Sequence, residues 1–195
     1  MTDVARGKAF DPDTAVDKAM EVFWANGYAH TTPQQLVDAL GIGRGSLYNA
    51  FTSKRALFER ALRRYHEREA VQIIRVLDGS GPPRERLRAA LDLVVTAALS
   101  DDKRRGCMMA NTAVEFGDGD EPINHLVRRT FDRQEAAFRS AIEEGQRSGD
   151  IDRAADAGAL AALFLATING IRVLGKADPN PQRLAGLADT LLRSL

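Results

Sequence analysis

The chain has 195 residues, 44% hydrophobic and 28% charged, with 27 basic and 27 acidic side chains and one cysteine, Cys107. That is material for one large domain, or a small and a medium one, around a real core. Zero net charge argues against nucleic acid until its distribution is considered, and a lone cysteine excludes an internal disulfide.

The polar start MTDVARGKAFDPDT lacks the apolar segment of a signal peptide, and no apolar run approaches bilayer-crossing length. The expectation is a cytoplasmic protein with no membrane partner. The first predicted helix runs from about Pro12 to Asn26, capped by Asp11 or Asp13, with Ala15, Val16, Ala19, Met20 and Phe23 inward and Gly27 as its stop. Thr32, Pro33 and Gln35 then read as a helix start: an N-cap hydroxyl, a proline at the first position, and the distal half of a capping box. Leu36, Val37 and Leu40 form the inward face of this second helix, and Gly41 ends it. Gly43 or Arg44 opens a third, in which Leu47 and Phe51 lie four apart on one face. Ser53 caps a fourth helix, with Leu57, Phe58, Ala61, Leu62 and Tyr65 inward, continuing through Ile73, Ile74 and Leu77 to the break at 79–83. The domain boundary falls inside that helix: residues 1–66 form the first domain and 67–195 the second, with the helix as a connecting lever rather than a flexible linker.

Five further helices are predicted at roughly 83–100, 102–116, 120–148, 152–176 and 180–194, separated by Gly, Pro, Ser and Asp breaks. No strand alternation or repeat is present, so the fold class is all-α, about nine helices in all. In the helix over 152–176, Ala154, Gly158, Ala162, Ala166 and Gly170 recur every four residues, beside Leu160, Leu163, Phe164, Ile168, Ile171 and Leu174. Such a helix is apolar nearly all round and needs burial on most of its surface. Two readings stand: the small-residue stripe packs inside one subunit, or it joins the last helix (Leu184, Leu187, Ala188, Leu191, Leu192) in a four-helix homodimer interface.

Charge is unevenly distributed. Residues 1–43 carry a net −3, whereas residues 44–68 carry a net +5. The positive field begins at the third helix, whose Arg44, Ser46, Tyr48 and Asn49 point away from its core face. Two short helices joined by a tight glycine turn, the second rich in hydrogen-bonding side chains, are what a chain needs to place a helix in the DNA major groove. Arg44 and Lys54, beside the turn, are the phosphate candidates; Arg60 to Arg68 read as a solvated face.

The segment FWANGYAHTTPQQLVDALGIGRGSLYNAFTSKRALF resembles the N-terminal domain of TetR/AcrR-type transcriptional repressors. It has the apolar first helix, the Gly-aromatic turn, the Thr-Thr start, the Leu-Tyr-x-x-Phe third helix and the Ser-Lys opening of the fourth, in the family's order. The resemblance is tight over residues 10–65 and loose beyond. It implies an N-terminal three-helix helix-turn-helix DNA-binding domain and a larger helical domain for ligand binding and dimerisation. It also implies that the third helix reads base edges while the starts of the second and fourth grip phosphates. Carried to matching positions, Thr32, Gly43, Arg44, Gly45, Ser46, Tyr48, Asn49 and Lys54 form the DNA-facing set. The family often has Ser where Gly43 stands and His where Asn49 stands, so the DNA sequence read is this chain's own. For Tyr48, partial burial is the alternative role.

Residues 104–122, RRGCMMANTAVEFGDGDEP, resemble a branch of the family whose sixth helix opens with Arg-Gly-Cys; some of its members respond to electrophiles or oxidants and others to small organic molecules. Arg104, Arg105 and a helix N-terminus would favour a thiolate at Cys107. The reading put first is that Cys107 packs as a small hydrophobe beside Met108 and Met109. Asn111, Glu115 and Arg172 are polar residues within apolar helices, either anchors in a ligand pocket with Met108, Met109, Phe116, Phe138 and Phe164, or internally paired, Arg172 with Glu115 for instance. His66 reads as a surface residue, or as one tuning the junction.

The expected function is a transcriptional repressor that binds a palindromic DNA operator as a homodimer and is released by an unknown small-molecule or electrophile/oxidant effector. Cofactors and metals are not implied. A thiol-dependent enzyme would have only Cys107 and three histidines (His30, His66, His125) to build with, so no enzyme is expected. The remaining alternative is a DNA-binding or adaptor protein that answers to no ligand.

Overall fold

The structure, a computed structural model, describes residues 11–195; the polar N-terminal segment, with Asp3, Arg6 and Lys8, lies outside the described residues. The chain divides into two compact units, one ending at Arg64 and the other spanning Tyr65–Leu195. Among the described residues all regular structure is helical.

The first unit holds α1 (Pro12–Asn26), α2 (Pro33–Leu40), α3 (Arg44–Phe51) and most of α4 (Lys54–Tyr65). Each start has a local cause. The Asp11 carboxylate accepts from the N–H groups of Asp13 and Thr14. In α2, Thr32 Oγ accepts from Gln35 N at 3.2 Å while Gln35 Oε1 accepts from Thr32 N at 2.7 Å, a closed capping box. Gly41, at φ 69° and ψ 31°, takes the left-handed conformation that stops α2. Ser53 Oγ accepts from Ala56 N at the start of α4. Helices of eight residues, such as α2 and α3, are marginal alone. They hold because Leu36, Leu40, Leu47 and Phe51 are buried with Phe23, Leu57 and Phe58. Phe58 meets Phe23 edge-on at 5.0 Å.

The second unit begins with a π-helical turn (His66–Ala70), followed by α5 (Val71–Leu77), α6 (Pro83–Ser100), α7 (Met108–Phe116), α8 (Glu121–Ser148), α9 (Ala157–Ala177) and α10 (Pro181–Leu192). Its core gathers Leu87 and Leu91 of α6, Phe138 and Ile142 of α8, Phe164, Ile168 and Ile171 of α9, and Leu184 and Ala188 of α10. Gly175 lets α9 approach α6 closely: a Cβ there would stand 2.9 Å from that of Ala98.

Two predicted helix starts move inward. The helix expected from residue 102 begins at Met108. Asp101 captures the Arg105 backbone N–H and side chain at 2.5 and 3.0 Å, and Arg104 and Gly106 sit at φ 50° and 71°, outside the helical region. The helix expected from 152 begins at Ala157, capped by Asp156, so Ala154 drops off the small-residue stripe. Of the rest of that stripe, Ala162 and Ala166 are exposed and Gly158 and Gly170 half-buried, with Leu163 at 47% and Val173 at 56% beside them. The expectation that no segment reaches bilayer length also needs correction. α9, at 21 residues with a mean hydropathy of 1.7 over its most apolar window, is long and apolar enough by length and composition. Its buried face, Ala161, Phe164, Ile168, Ile171 and Gly175, is a core face of this unit.

Candidate functional site

In the first unit the residues singled out for DNA gather at the starts of α2, α3 and α4. Leu47 and Phe51 turn inward at 2% and 3% exposure. That rotation leaves Arg44, Gly45, Ser46 and Asn49 exposed and Tyr48 half-buried. Gly43 is the N-cap of α3 and supplies no side-chain bond to the helix start, so the first N–H groups of α3 keep their affinity for an anion. Arg44 lies over the Tyr48 ring at 6.0 Å, at the outer edge of cation–π attraction. A Cβ at Gly45 would meet nothing within 4 Å, so internal packing does not demand glycine there. Thr32 is exposed beside these groups, its hydroxyl oxygen engaged by Gln35 N and its hydroxyl proton available to an acceptor.

The basic stretch is less uniformly available than its composition implies. Arg55 pairs with Glu59, Arg63 reaches the same carboxylate at 3.7 Å, and Arg64 lies 2.8 Å from Asp13 and 3.5 Å from Asp17. Arg60 rests over the Phe51 ring at 5.2 Å. Lys54 is half-buried; its Nζ donates to the Thr31 carbonyl at 2.7 Å and sits 4.3 Å from the Tyr28 ring centre. Of the seven basic residues from 44 to 68, Arg44 is the one that opens α3 and stands exposed at its start.

In the second unit Cys107 is buried at 3% exposure, next to Met108 at 2% and Met109 at 1%. Its Sγ accepts from Ala110 N at 3.5 Å as the N-cap of α7 and receives Arg172 Nη1 at 3.8 Å. The partner foreseen from sequence, Arg105, is bound to Asp101 instead, and Arg104 is exposed. Tyr65, buried at 2%, completes the group. Burial pushes its phenol well above the usual range and the nearby Cys107 adds to this, while the Arg172 charge opposes it. Arg172 is held charged by Cys107, Tyr65 and Glu69 against the cost of burial. Tyr65 was legible only as a core residue; the chemistry of its hydroxyl appears once α4 and α7 are folded. Asn111 Nδ2 donates to the Arg105 carbonyl at 2.8 Å and so braces the loop before α7. Glu115 is exposed. Phe164 is fully buried against Phe138 at 5.1 Å, and Phe116 is half-buried. His125 is exposed. His66, expected at the surface, is half-buried and bonded to α8. No group of three or more metal-ligating side chains occurs among the described residues.

This pairing of a short helix-turn-helix with a helical second unit has a match in sequence. The family profile described as bacterial regulatory proteins, tetR family, matches residues 15–61, and the one described as tetracyclin repressor-like, C-terminal domain, matches residues 83–191. The chain belongs to the TetR family. It is a DNA-binding transcriptional regulator. Its relatives include the HTH-type transcriptional repressor ComR of Escherichia coli, 29% identical over 96% of this chain and 90% of ComR. The repressor DhaR of Mycobacterium sp. strain GP1 is 28% identical over 87% of this chain and 84% of its own length. Among solved structures, a cysteine-substituted CifR complexed with 26-bp double-strand operator DNA superposes with a TM-score of 0.86 at 31% identity, over 97% of this chain and 98% of that one.

Proposed function

We propose that this TetR-family regulator represses transcription as a homodimer on a near-palindromic operator. The carrying observation is the exposed face of α3: Arg44, Gly45, Ser46 and Asn49 stand out together because Leu47 and Phe51 are sunk in the core. Thr32, Gly43, Tyr48 and the start of α4 at Lys54 complete the surface, with α3 toward base edges and the starts of α2 and α4 toward phosphates. The outward stripe of α9 (Ala162, Leu163, Ala166, Val173) supports pairing of two copies, since an apolar face of that kind gains by burial. Two such subunits present their α3 helices about 34–36 Å apart, one DNA turn. The CifR structure, complexed with double-strand operator DNA, favours the same assignment. The protein acts in the cytoplasm and carries out no catalysis.

Release is assigned to an effector acting in the second unit, in proportion to its differential affinity for the two states. The group of Cys107, Tyr65 and Arg172 is the sensing candidate, with Met108, Asn111 and Phe164 nearby in sequence or along α9. Arg172 Nη1 stands 3.8 Å from Sγ, so any group added at the sulfur would displace the Arg172 side chain. The competing role, packing, is favoured by the 3% exposure of Cys107. A non-responsive DNA-binding protein would keep the first unit and leave this group inert.

The test uses the full chain to select duplexes from a random pool. A selected two-fold-symmetric site, weakened by Arg44→Ala by about 1–3 kcal/mol, is the expected outcome. Failure to select any site would end the DNA-reading assignment. Sedimentation of Ala166→Glu should show monomer where the parent is dimer. With electrophile added, Cys107→Ser should hold DNA when the parent lets go; equal release by both confines Cys107 to packing.

A further inference from the structure

Lys54 is the first residue of α4, where the helix dipole opposes a cation. Its side chain does not stay at that helix end. Nζ folds back to donate to the Thr31 carbonyl at 2.7 Å and to lie 4.3 Å from the centre of the Tyr28 ring. Neither partner belongs to α4, and both are fixed from within. The Tyr28 ring packs against Phe58 at 5.0 Å and Phe23 at 6.4 Å. Thr31 is 1% exposed, and its hydroxyl donates to the Gly27 carbonyl at 2.6 Å.

The carbonyl that Lys54 holds belongs to the peptide whose N–H is that of Thr32, the N-cap of α2. That N–H donates to Gln35 Oε1 at 2.7 Å. One peptide group therefore has an ammonium on its oxygen and the capping box on its nitrogen. A cation on the oxygen polarises the peptide and strengthens the bond made by its N–H. Removing the ammonium leaves the Thr31 carbonyl without this donor and loosens the first turn of a helix only eight residues long.

We infer that Lys54 serves DNA binding as a positioning residue: it ties the start of α4 to the peptide that caps α2 and so sets the spacing of the two helix starts. The inference rests on the reading of those starts as the phosphate-facing ends. It departs from a direct phosphate contact in two measurable ways. A lost phosphate contact lowers the slope of log affinity against log salt by about 0.9 and leaves the free protein unchanged. A lost clamp leaves the slope alone and loosens α2 before DNA is present.

The test compares the full chain with Lys54→Met, which keeps the apolar stem, and Lys54→Gln, a neutral donor. The probe is a labelled 26-bp duplex selected by the parent protein from a random pool. In Lys54→Met, affinity is expected to fall about 10-fold, equivalent to 1.4 kcal/mol, with the salt slope unchanged. Amide exchange at Gln35 and Leu36 in the DNA-free protein should quicken, and Lys54→Gln should recover part of both losses. A slope lowered by about 0.9, or α2 exchange that does not change, overturns the inference while leaving the DNA-reading surface standing. If Lys54→Met does not fold, Lys54→Gln is read alone: quickened α2 exchange with an unchanged slope supports the clamp, and a slope lowered by about 0.9 or unchanged exchange overturns it. A parent that selects no duplex removes the surface itself, and the inference with it.

Discussion

The two units of this molecule are held by different kinds of contact. In the first, the polar bonds that define the helices are local: Asp11 to Thr14, Thr32 with Gln35, Ser53 to Ala56, each spanning three residues. In the second, the helices are also capped locally, at Cys107, Asp120, Asp156 and Asn180, and further polar contacts join residues far apart in the chain, Arg86 to Glu144, His66 to Thr130, and Cys107 to Arg172. A DNA-binding surface must be kept rigid: side-chain caps fix the starts of α1, α2 and α4, while α3, without one, is held by the burial of Leu47 and Phe51. If the second unit senses an effector as proposed, it needs alternative packings, and contacts between distant helices are what a ligand or a modification can exchange.

The largest expected effect tests that contrast at its apolar base. Phe164 is fully buried in the second unit, 5.1 Å from Phe138. Phe164→Ala should cost about 3–5 kcal/mol, read as a lower unfolding midpoint in denaturant. Thr32→Ala, which removes a cap in the first unit, should cost about 1 kcal/mol. Equal losses would mean that the caps carry as much of the fold as the core does.

The same contrast governs what the sequence made legible. α1 was placed from Pro12 to Asn26, as found, because its cap, proline and stop glycine are neighbours in the chain. The residues proposed to face DNA are marked by the same local grammar and the family motif, and Arg44, Gly45, Ser46 and Asn49 are exposed. Lys54 illustrates its limit: its type and position suggest a phosphate contact, and only the folded turn at Tyr28–Thr31 brings the carbonyl that holds its ammonium. Around Cys107 the limit is plainer. Arg104 and Arg105 adjoin it in sequence, yet Asp101 takes Arg105 and bends the loop, while Arg172 arrives from α9 and Tyr65 from α4. Nothing in spacing announces a partner 65 residues away. The late start of α7 has the same origin, since Asp101 competes for the backbone that a helix would have used.

A smaller effect would sharpen the role of distant contacts. Arg86 is 8% exposed and donates to the Leu77 carbonyl at 2.6 Å and the Gly79 carbonyl at 3.2 Å, closing the turn between α5 and α6. It also pairs with Glu144, a side chain 48% exposed. Arg86→Met keeps most of the stem and leaves two carbonyls without this donor, so a loss of about 1–3 kcal/mol is expected. Glu144→Gln, removing only the half-exposed charge, should cost less than about 1 kcal/mol. If the two variants lose the same stability, the ion pair and not the turn is what Arg86 supplies.

The smallest effect is one of pH, at the π-helical turn. Arg133 Nη1 lies 3.0 Å from His66 Nε2, and Thr130 Oγ1 lies 3.1 Å from Nδ1 while bonding to the Leu126 carbonyl. A guanidinium only donates, so Nε2 accepts and the proton sits on Nδ1, facing Thr130. Burial and then the charge of Arg133 hold the His66 pKa below its ordinary value, with Arg129 adding to the shift and Glu67 opposing it. Between the lowered folded value and an unfolded value of about 6.5, the unfolded chain binds more protons than the folded one. The stabilisation is therefore complete above the unfolded value and is lost as pH falls through it toward the folded value. Thermal unfolding from pH 7.5 to 5.5 should fall more steeply for the parent than for His66→Gln, whose amide does not titrate. Parallel curves would show that the turn is indifferent to the proton, and that its bonds to α8 are structural alone.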